Sequence, residues 1–238
     1  MSLYRKYRPQ SFDEVMGNED LLDSLKRMLK GDDIPHAFLF SGPTGCGKTT
    51  LGRIVAKELG AKGNDFREVD SAQFNGVATV REIRNQSQFM ALEGNCRVWL
   101  LDEVHMLGRG GNSSKNEAQN ALLKALEDPP DHVYYILCTT DPQQLLPTIR
   151  GRCQQFQVHP LTERQMLQLL RKIVKAEDES ISKAVYDQIV TDSLGQGRDA
   201  LQILEQVLCA EPDRRLSVAK RTAEMQNQSI ELCRALIK

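Results

Sequence analysis

The segment Gly42-Pro43-Thr44-Gly45-Cys46-Gly47-Lys48-Thr49 constrains this chain more than any other, because it matches the phosphate-binding pattern G-x-x-x-x-G-K-[ST] in full. Such a loop works only between a buried strand and a helix. Both are predicted: the apolar run from His36 to Ser41 precedes it, and Thr50 to Leu59 follow with apolar residues at helical spacing. The flexibility of Gly42, Gly45 and Gly47 lets the backbone N–H groups, including those of Cys46 and Thr50, curl round a polyphosphate at the helix N-terminus. Lys48 then reaches the β and γ phosphates, and the Thr49 hydroxyl holds Mg2+. A plain glycine turn between strand and helix would have no use for the Lys-Thr pair. The expected ligand is ATP or GTP.

The rest of the composition narrows the class. A length of 238 residues allows one mid-sized core and a smaller lobe. Lys and Arg number 31 against 32 Asp and Glu, for a net charge of -1, so no global basic field binds nucleic acid unaided. Cys46, Cys96, Cys138, Cys153, Cys209 and Cys233 never fall in C-x-x-C spacing, and several lie in apolar runs, as buried thiols of a reducing compartment do. His36, His105, His132 and His159 share no metal-ligand spacing. No apolar run approaches the roughly 18 residues that span a bilayer, so a cytoplasmic protein without membrane partners is expected.

A second anchor follows the loop. Within Arg97 to His105 the sequence reads as an apolar strand ending in two carboxylates, Asp102 and Glu103. At the C-terminal end of such a strand Asp102 can bind Mg2+, and Glu103 can orient the water that attacks the γ-phosphate. Val133 to Cys138 reads as a third strand, ending in Thr139-Thr140-Asp141, where a polar residue can hydrogen-bond the γ-phosphate or merely end the strand. With Phe66–Val69 and Cys153–Val158, strands alternate with helical segments. An α/β fold with a parallel sheet is predicted, its ligand at the strands' C-terminal ends.

Several separated stretches then resemble one family, the AAA+ ATPase core of sliding-clamp loaders, as in the bacterial DNA polymerase III gamma/tau subunit and the small subunits of replication factor C. Tyr7-Arg8-Pro9-Gln10-Ser11-Phe12-Asp13-Glu14-Val15 is similar to the segment that wraps the adenine, which implies contacts from Arg8, Pro9, Val15 and Met16. Asp102 to Leu107, Asn120 to Pro130 and Thr139-Thr140-Asp141-Pro142-Gln143 resemble the central strand end, the following helix and the sensor-1 strand end. Gly197-Arg198-Asp199-Ala200-Leu201 resembles the sensor-2 helix start. The resemblance implies that Thr140 senses the γ-phosphate, that Arg198 reaches it from a lid, and that Arg152 acts on a neighbouring subunit's ATP. Here Gly151 stands where the family has a serine before that arginine. The family's four-cysteine zinc module is missing, since Gly60 to Asp65 run straight into the next strand, and no zinc is expected.

The expected organisation is a nucleotide-binding domain over 1–159, a small three-helix lid over 160–215 and a C-terminal helical tail over 216–238, placed where the family's collar would begin. Without a collar, a largely monomeric protein is expected. In the lid, Thr162 and Gln165 have capping-box spacing, and three apolar stripes read as ordinary core. Gly108 to Asn116 reads as a mobile loop, with Arg109 and Lys115 either solvated or on DNA phosphates. Arg81 and Arg84 are open to the same two readings. Phe89 and Met90, in a stretch resembling the clamp-touching helix, read as clamp contact or core. Cys46 reads as a tolerated small residue rather than a redox switch.

The resemblance implies ATP and Mg2+ as cofactors, and other clamp-loader subunits, the sliding clamp and primer-template DNA as partners. Two rival readings stand beside it, an oligomeric branch-migration motor of the same superfamily and a nucleotide-gated scaffold with little hydrolysis.

Overall fold

The computed structural model describes residues 2–71, 76–107 and 112–220. Five strands form one parallel sheet: β1 (Ala37–Ser41), β2 (Phe66–Asp70), β3 (Arg97–Asp102), β4 (Val133–Thr139) and β5 (Gln154–Gln157), in the spatial order β2-β3-β4-β1-β5. The chain opens with α1 (Leu3–Lys6) and α2 (Glu19–Met28). The connections carry α3 (Lys48–Glu58), α4 (Gly76–Ser87), α5 (Asn112–Glu127) and α6 (Pro147–Arg152). Central strands buried on both faces explain the near-continuous apolar runs of β1, β3 and β4. One apolar cluster, with Leu39, Trp99, Leu101, Leu122 and Tyr135, fills one side of the sheet, and another, with Phe38, Phe40, Leu51, Val55 and Leu100, fills the other.

After β5 the chain is helical: α7 (Glu163–Ala176), α8 (Lys183–Asp192), α9 (Gly197–Leu208) and a further helical stretch over 215–220. These helices close a third cluster around Met166, Leu170, Ile173, Ile189, Ile203, Leu204 and Val207. The Thr162 and Gln165 capping box is present, with Gln165 N–H donating to Thr162 Oγ1 at 3.3 Å and Thr162 N–H to Gln165 Oε1 at 3.0 Å. Leu3 of α1 belongs to this third cluster, while Phe12 belongs to the sheet's. The N-terminal segment therefore straps the helical part to the sheet. Lys6 reinforces it with an ion pair to Glu177 at 2.7 Å, beside a hydrogen bond from the Tyr7 hydroxyl to the same carboxylate.

β3 ends at its two carboxylates as expected, whereas two expectations need correction, the loop over 108–116 and the pair Phe89 and Met90. The strand through Asp102 stops there, because Glu103 takes left-handed backbone angles (φ 47°, ψ 47°) and Val104–Met106 form a 3-10 turn. The loop expected over 108–116 extends at most to residue 111, since α5 starts at Asn112. Asn and Ser favour helix starts as readily as loops; residues 108–111, including Arg109, lie outside the described residues. Phe89 and Met90 are neither helical nor core: α4 ends at Ser87, whose hydroxyl bonds back to the Ile83 carbonyl at 2.7 Å. They stand 67% and 68% exposed, with Leu92 at 80%. Of the expected tail, residues 221–238, with Cys233, lie outside the described residues.

Candidate nucleotide site

β1 feeds the chain into the glycine loop, and α3 begins within it at Lys48. The loop can close this tightly because Gly47 adopts φ 104°, a region side chains avoid. At Gly42 a Cβ would run into the Val158 carbonyl oxygen. The Lys48 side chain is 5% exposed, its ammonium donating to the carbonyls of Gly42 at 2.9 Å and Pro43 at 2.8 Å. Beside it the Thr49 hydroxyl donates to Asp102 Oδ2 at 2.9 Å. Parallel pairing puts the ends of β1, β3 and β4 at one edge of the sheet, so residues far apart in sequence meet here.

The helical part closes over the loop. Arg198 N–H donates to the Gly45 carbonyl at 3.4 Å, from the first turn of α9. The Gln196 amide, with its nitrogen turned to the loop, donates to the Thr44 carbonyl at 2.9 Å and to Asp199 Oδ2 at 3.1 Å. Burial lifts the Asp199 carboxyl above its ordinary range, against the opposing charge of Arg198. Between the N-terminal strap, the sheet edge and these helices lies a cavity of about 530 Å³, a size suited to a nucleotide.

Most of the sequence-predicted residues meet in it. Arg8, Pro9, Val15, Met16, Gly45, Cys46, Gly47, Lys48, Thr49, Thr50, Asp102, Glu103 and Arg198 all line the cavity. Gly42 lies just behind, at the loop's base. Thr140 does not line it but touches it through Glu103, its hydroxyl donating to Glu103 Oε2 at 3.2 Å. Arg152 is elsewhere, at the end of α6, donating to Glu127 Oε1 at 2.8 Å. Cys46 Sγ–H faces the Pro43 carbonyl at 2.9 Å, and burial raises its pKa, which keeps the thiol protonated and unreactive.

Sequence reasoning missed several walls. Tyr4, Leu169, Lys172, Ile173 and Leu201 also line the cavity, the leucines and Ile173 having been assigned to core alone. The helical stripe was their signal, but a stripe does not say which of its residues stop at a neighbouring helix and which face a ligand. Also missed was His105, whose Nδ1 lies 2.9 Å from Thr139 Oγ1 and 3.3 Å from Glu103 Oε2. The oxygen-only pair of Thr49 and Asp102 suits Mg2+, which takes few protein ligands and keeps water and phosphate for the rest. Among the described residues no helix is long and apolar enough to cross a membrane.

A family model described as "DNA polymerase III, delta subunit" matches residues 60–162. The DNA polymerase III subunit gamma/tau of Mycobacterium tuberculosis (strain H37Rv) is 37% identical over 236 residues, covering 90% of this chain and 40% of that protein. The tau subunit of Escherichia coli (strain K12) is 33% identical over 99% of this chain and 39% of its own length. The gamma subunit of Buchnera aphidicola is 34% identical over 87% of this chain and 61% of its length. The chain thus spans about two fifths of most of these relatives. Among solved structures, the RuvB Holliday junction branch migration motor of Thermotoga maritima superposes with a TM-score of 0.70 at 22% identity, over 92% of this chain and 72% of that one. A point mutant of the same RuvB gives 0.71 at 23%, over 92% of this chain and 74% of that one. At such identity the likeness speaks for the fold, an α/β P-loop core with a parallel sheet. The subunit relatives speak for kinship, and the chain belongs to the AAA+ ATPase family that includes the DNA polymerase III gamma/tau subunits.

Proposed function

We propose that this chain binds ATP with Mg2+ in the cavity described above and hydrolyses it as an ATPase subunit of a clamp loader, a cytoplasmic assembly that places a ring-shaped clamp on primed DNA. The observation that carries the reading is the convergence of Lys48, Thr49, Asp102, Glu103 and Arg198 on one cavity at the sheet's C-terminal edge. Lys48 would leave the Gly42 and Pro43 carbonyls for the β and γ phosphates, while the loop N–H groups cradle their oxygens. Thr49 and Asp102 would hold the magnesium, which when bound offsets charge on the phosphates. Glu103 would accept a hydrogen bond from the attacking water, and Thr140, bonded to that carboxylate, would report on the γ-phosphate. Arg198 would reach the phosphates from α9, and Arg152 would leave Glu127 for the ATP of a neighbouring subunit.

The partners follow the same logic. Arg81 and Arg84, exposed on α4, suit contacts with DNA phosphates, and the exposed Phe89 and Met90 suit the clamp. The test measures ATP binding and phosphate release in wild type, Lys48→Ala and Glu103→Gln, with and without primed DNA and a cognate clamp. Binding should vanish in Lys48→Ala and survive in Glu103→Gln, while turnover stops in both. Clamp and primed DNA together should stimulate the wild type; stimulation by branched junctions instead would favour a branch-migration motor, and a fully active Glu103→Gln protein would sink the hydrolytic assignment.

A further inference from the structure

The hydrogen bonds around Glu103 extend past the residues assigned so far. Its left-handed backbone turns the carboxylate off the line of β3, a strained conformation for a residue with a side chain that persists only where its surroundings hold it. Two groups do so, and both act on the same oxygen: Thr140 Oγ1 at 3.2 Å and His105 Nδ1 at 3.3 Å from Oε2. That leaves Oε1 to accept from a water. His105 is itself fixed, because its Nδ1 lies 2.9 Å from Thr139 Oγ1. Thr139 is fully buried and is bound on two further sides: its hydroxyl oxygen accepts from Asp141 N–H at 3.1 Å, and its carbonyl accepts from Gly42 N–H at 3.3 Å. A continuous chain of contacts therefore runs from the base of the phosphate loop through Thr139 and His105 to Glu103.

We infer that His105, seated on Thr139, is a positioning residue that orients the Glu103 carboxylate for water activation, a second tether beside Thr140. A carboxylate only accepts, so a ring nitrogen that tethers it must carry the hydrogen. The positioning role therefore requires a proton on Nδ1, between Glu103 Oε2 at 3.3 Å and Thr139 Oγ1 at 2.9 Å. Asparagine reproduces a donor near the Nδ1 position, whereas leucine keeps bulk and removes it. The role rests on the hydrolytic reading of Glu103, and its test has one arm that does not need turnover.

In that arm, long-range proton–nitrogen NMR spectra of the full chain read the imidazole tautomers, with the His105 signals assigned by their loss in His105→Asn. Wild type should show His105 protonated at Nδ1, and Glu103→Gln and Thr139→Val should each shift its nitrogens. A bare Nδ1, or His105 signals unmoved in Glu103→Gln, overturns the inference whatever the enzyme does. In the kinetic arm, His105→Leu should lower kcat for ATP about tenfold, with nucleotide affinity and melting temperature close to wild type, and His105→Asn should recover most of the rate. If His105→Leu hydrolyses at the wild-type rate while Glu103→Gln does not, the hydrolytic reading stands and the positioning role falls. A wild-type protein without hydrolysis in the presence of clamp and primed DNA removes the catalytic role along with the hydrolytic reading, even if the NMR contacts are found.

Discussion

Asp65 shows how much one buried carboxylate can organise. It closes a 3-10 turn before β2 and accepts from the N–H groups of Leu92 at 2.9 Å, Glu93 at 2.6 Å and Gly94 at 2.9 Å, with Arg97 3.4 Å away. Burial pushes its pKa up, but the three backbone donors and Arg97 outweigh it and hold the group down at about 2. A pKa depressed in the folded state gives stability that is present above the unfolded value, near 4, and is lost as pH falls from there through about 2. Asp65→Asn should therefore cost on the order of 2 to 3 kcal/mol in urea unfolding at pH 7. The gap between variant and wild type should narrow below pH 4. Nothing in the sequence around Asp65 announces this role, because its donors lie 27 to 29 residues away. His105 escaped notice for the same reason, as Thr139 is distant in sequence. Lys48, Thr49, Asp102 and Glu103 were legible, since a phosphate site needs particular residue types at particular places along strand, loop and helix.

Elements were legible where the pattern is local. The phosphate loop, the capping box at Thr162 and the apolar strands each depend on neighbours within a few residues, and each stands where expected. What failed was the reading of ends and exposed tips. α4 stops at Ser87, and the exposed tip beyond it is held by distant partners: His132 Nε2 lies 2.9 Å from the Phe89 carbonyl, and Arg97 donates to the Met90 carbonyl at 3.2 Å. The same element-scale view separates two arginines. Arg198 starts α9 and lines the cavity of its own chain, whereas Arg152 ends α6 in an ion pair outside it. Arg198→Ala should weaken ATP binding roughly 10- to 150-fold, the loss of about 1.5 to 3 kcal/mol for a charge-assisted contact. Arg152→Ala should leave affinity unchanged in dilute protein, because the exposed pair with Glu127 does little for the fold. Titration with a fluorescent nucleotide decides, and equal weakening by both would remove the trans role of Arg152.

At the scale of the whole molecule, the passage from sheet to helices is governed by Asn18. This residue has left-handed backbone angles (φ 56°) at the start of α2, and its side-chain amide grips the linker after β5 on both sides: Nδ2 donates to the His159 carbonyl at 3.0 Å, and Oδ1 accepts from His159 N–H at 2.8 Å. Beside it, Gln165 of α7 donates to Glu19 of α2 at 3.2 Å. Asn18→Ala should free the linker without disturbing the phosphate loop. Amide hydrogen exchange at His159 should rise about tenfold, the equivalent of one lost hydrogen bond of about 1.4 kcal/mol, while the amides of β3 and β4 stay protected.

The cavity described above is walled by the N-terminal strap, the sheet edge and the helical part together, and the helices keep an apolar cluster of their own. Melting therefore depends on what fills it. Two clusters joined mainly by a strap and a linker are free to come apart at different temperatures, whereas an occupant that binds only when every wall is in place adds RT ln(1 + [L]/Kd) to their holding together, about 2.7 kcal/mol at a hundred times Kd. The supply of nucleotide then sets more than the height of the melting temperature. It sets whether the molecule comes apart in two steps or in one.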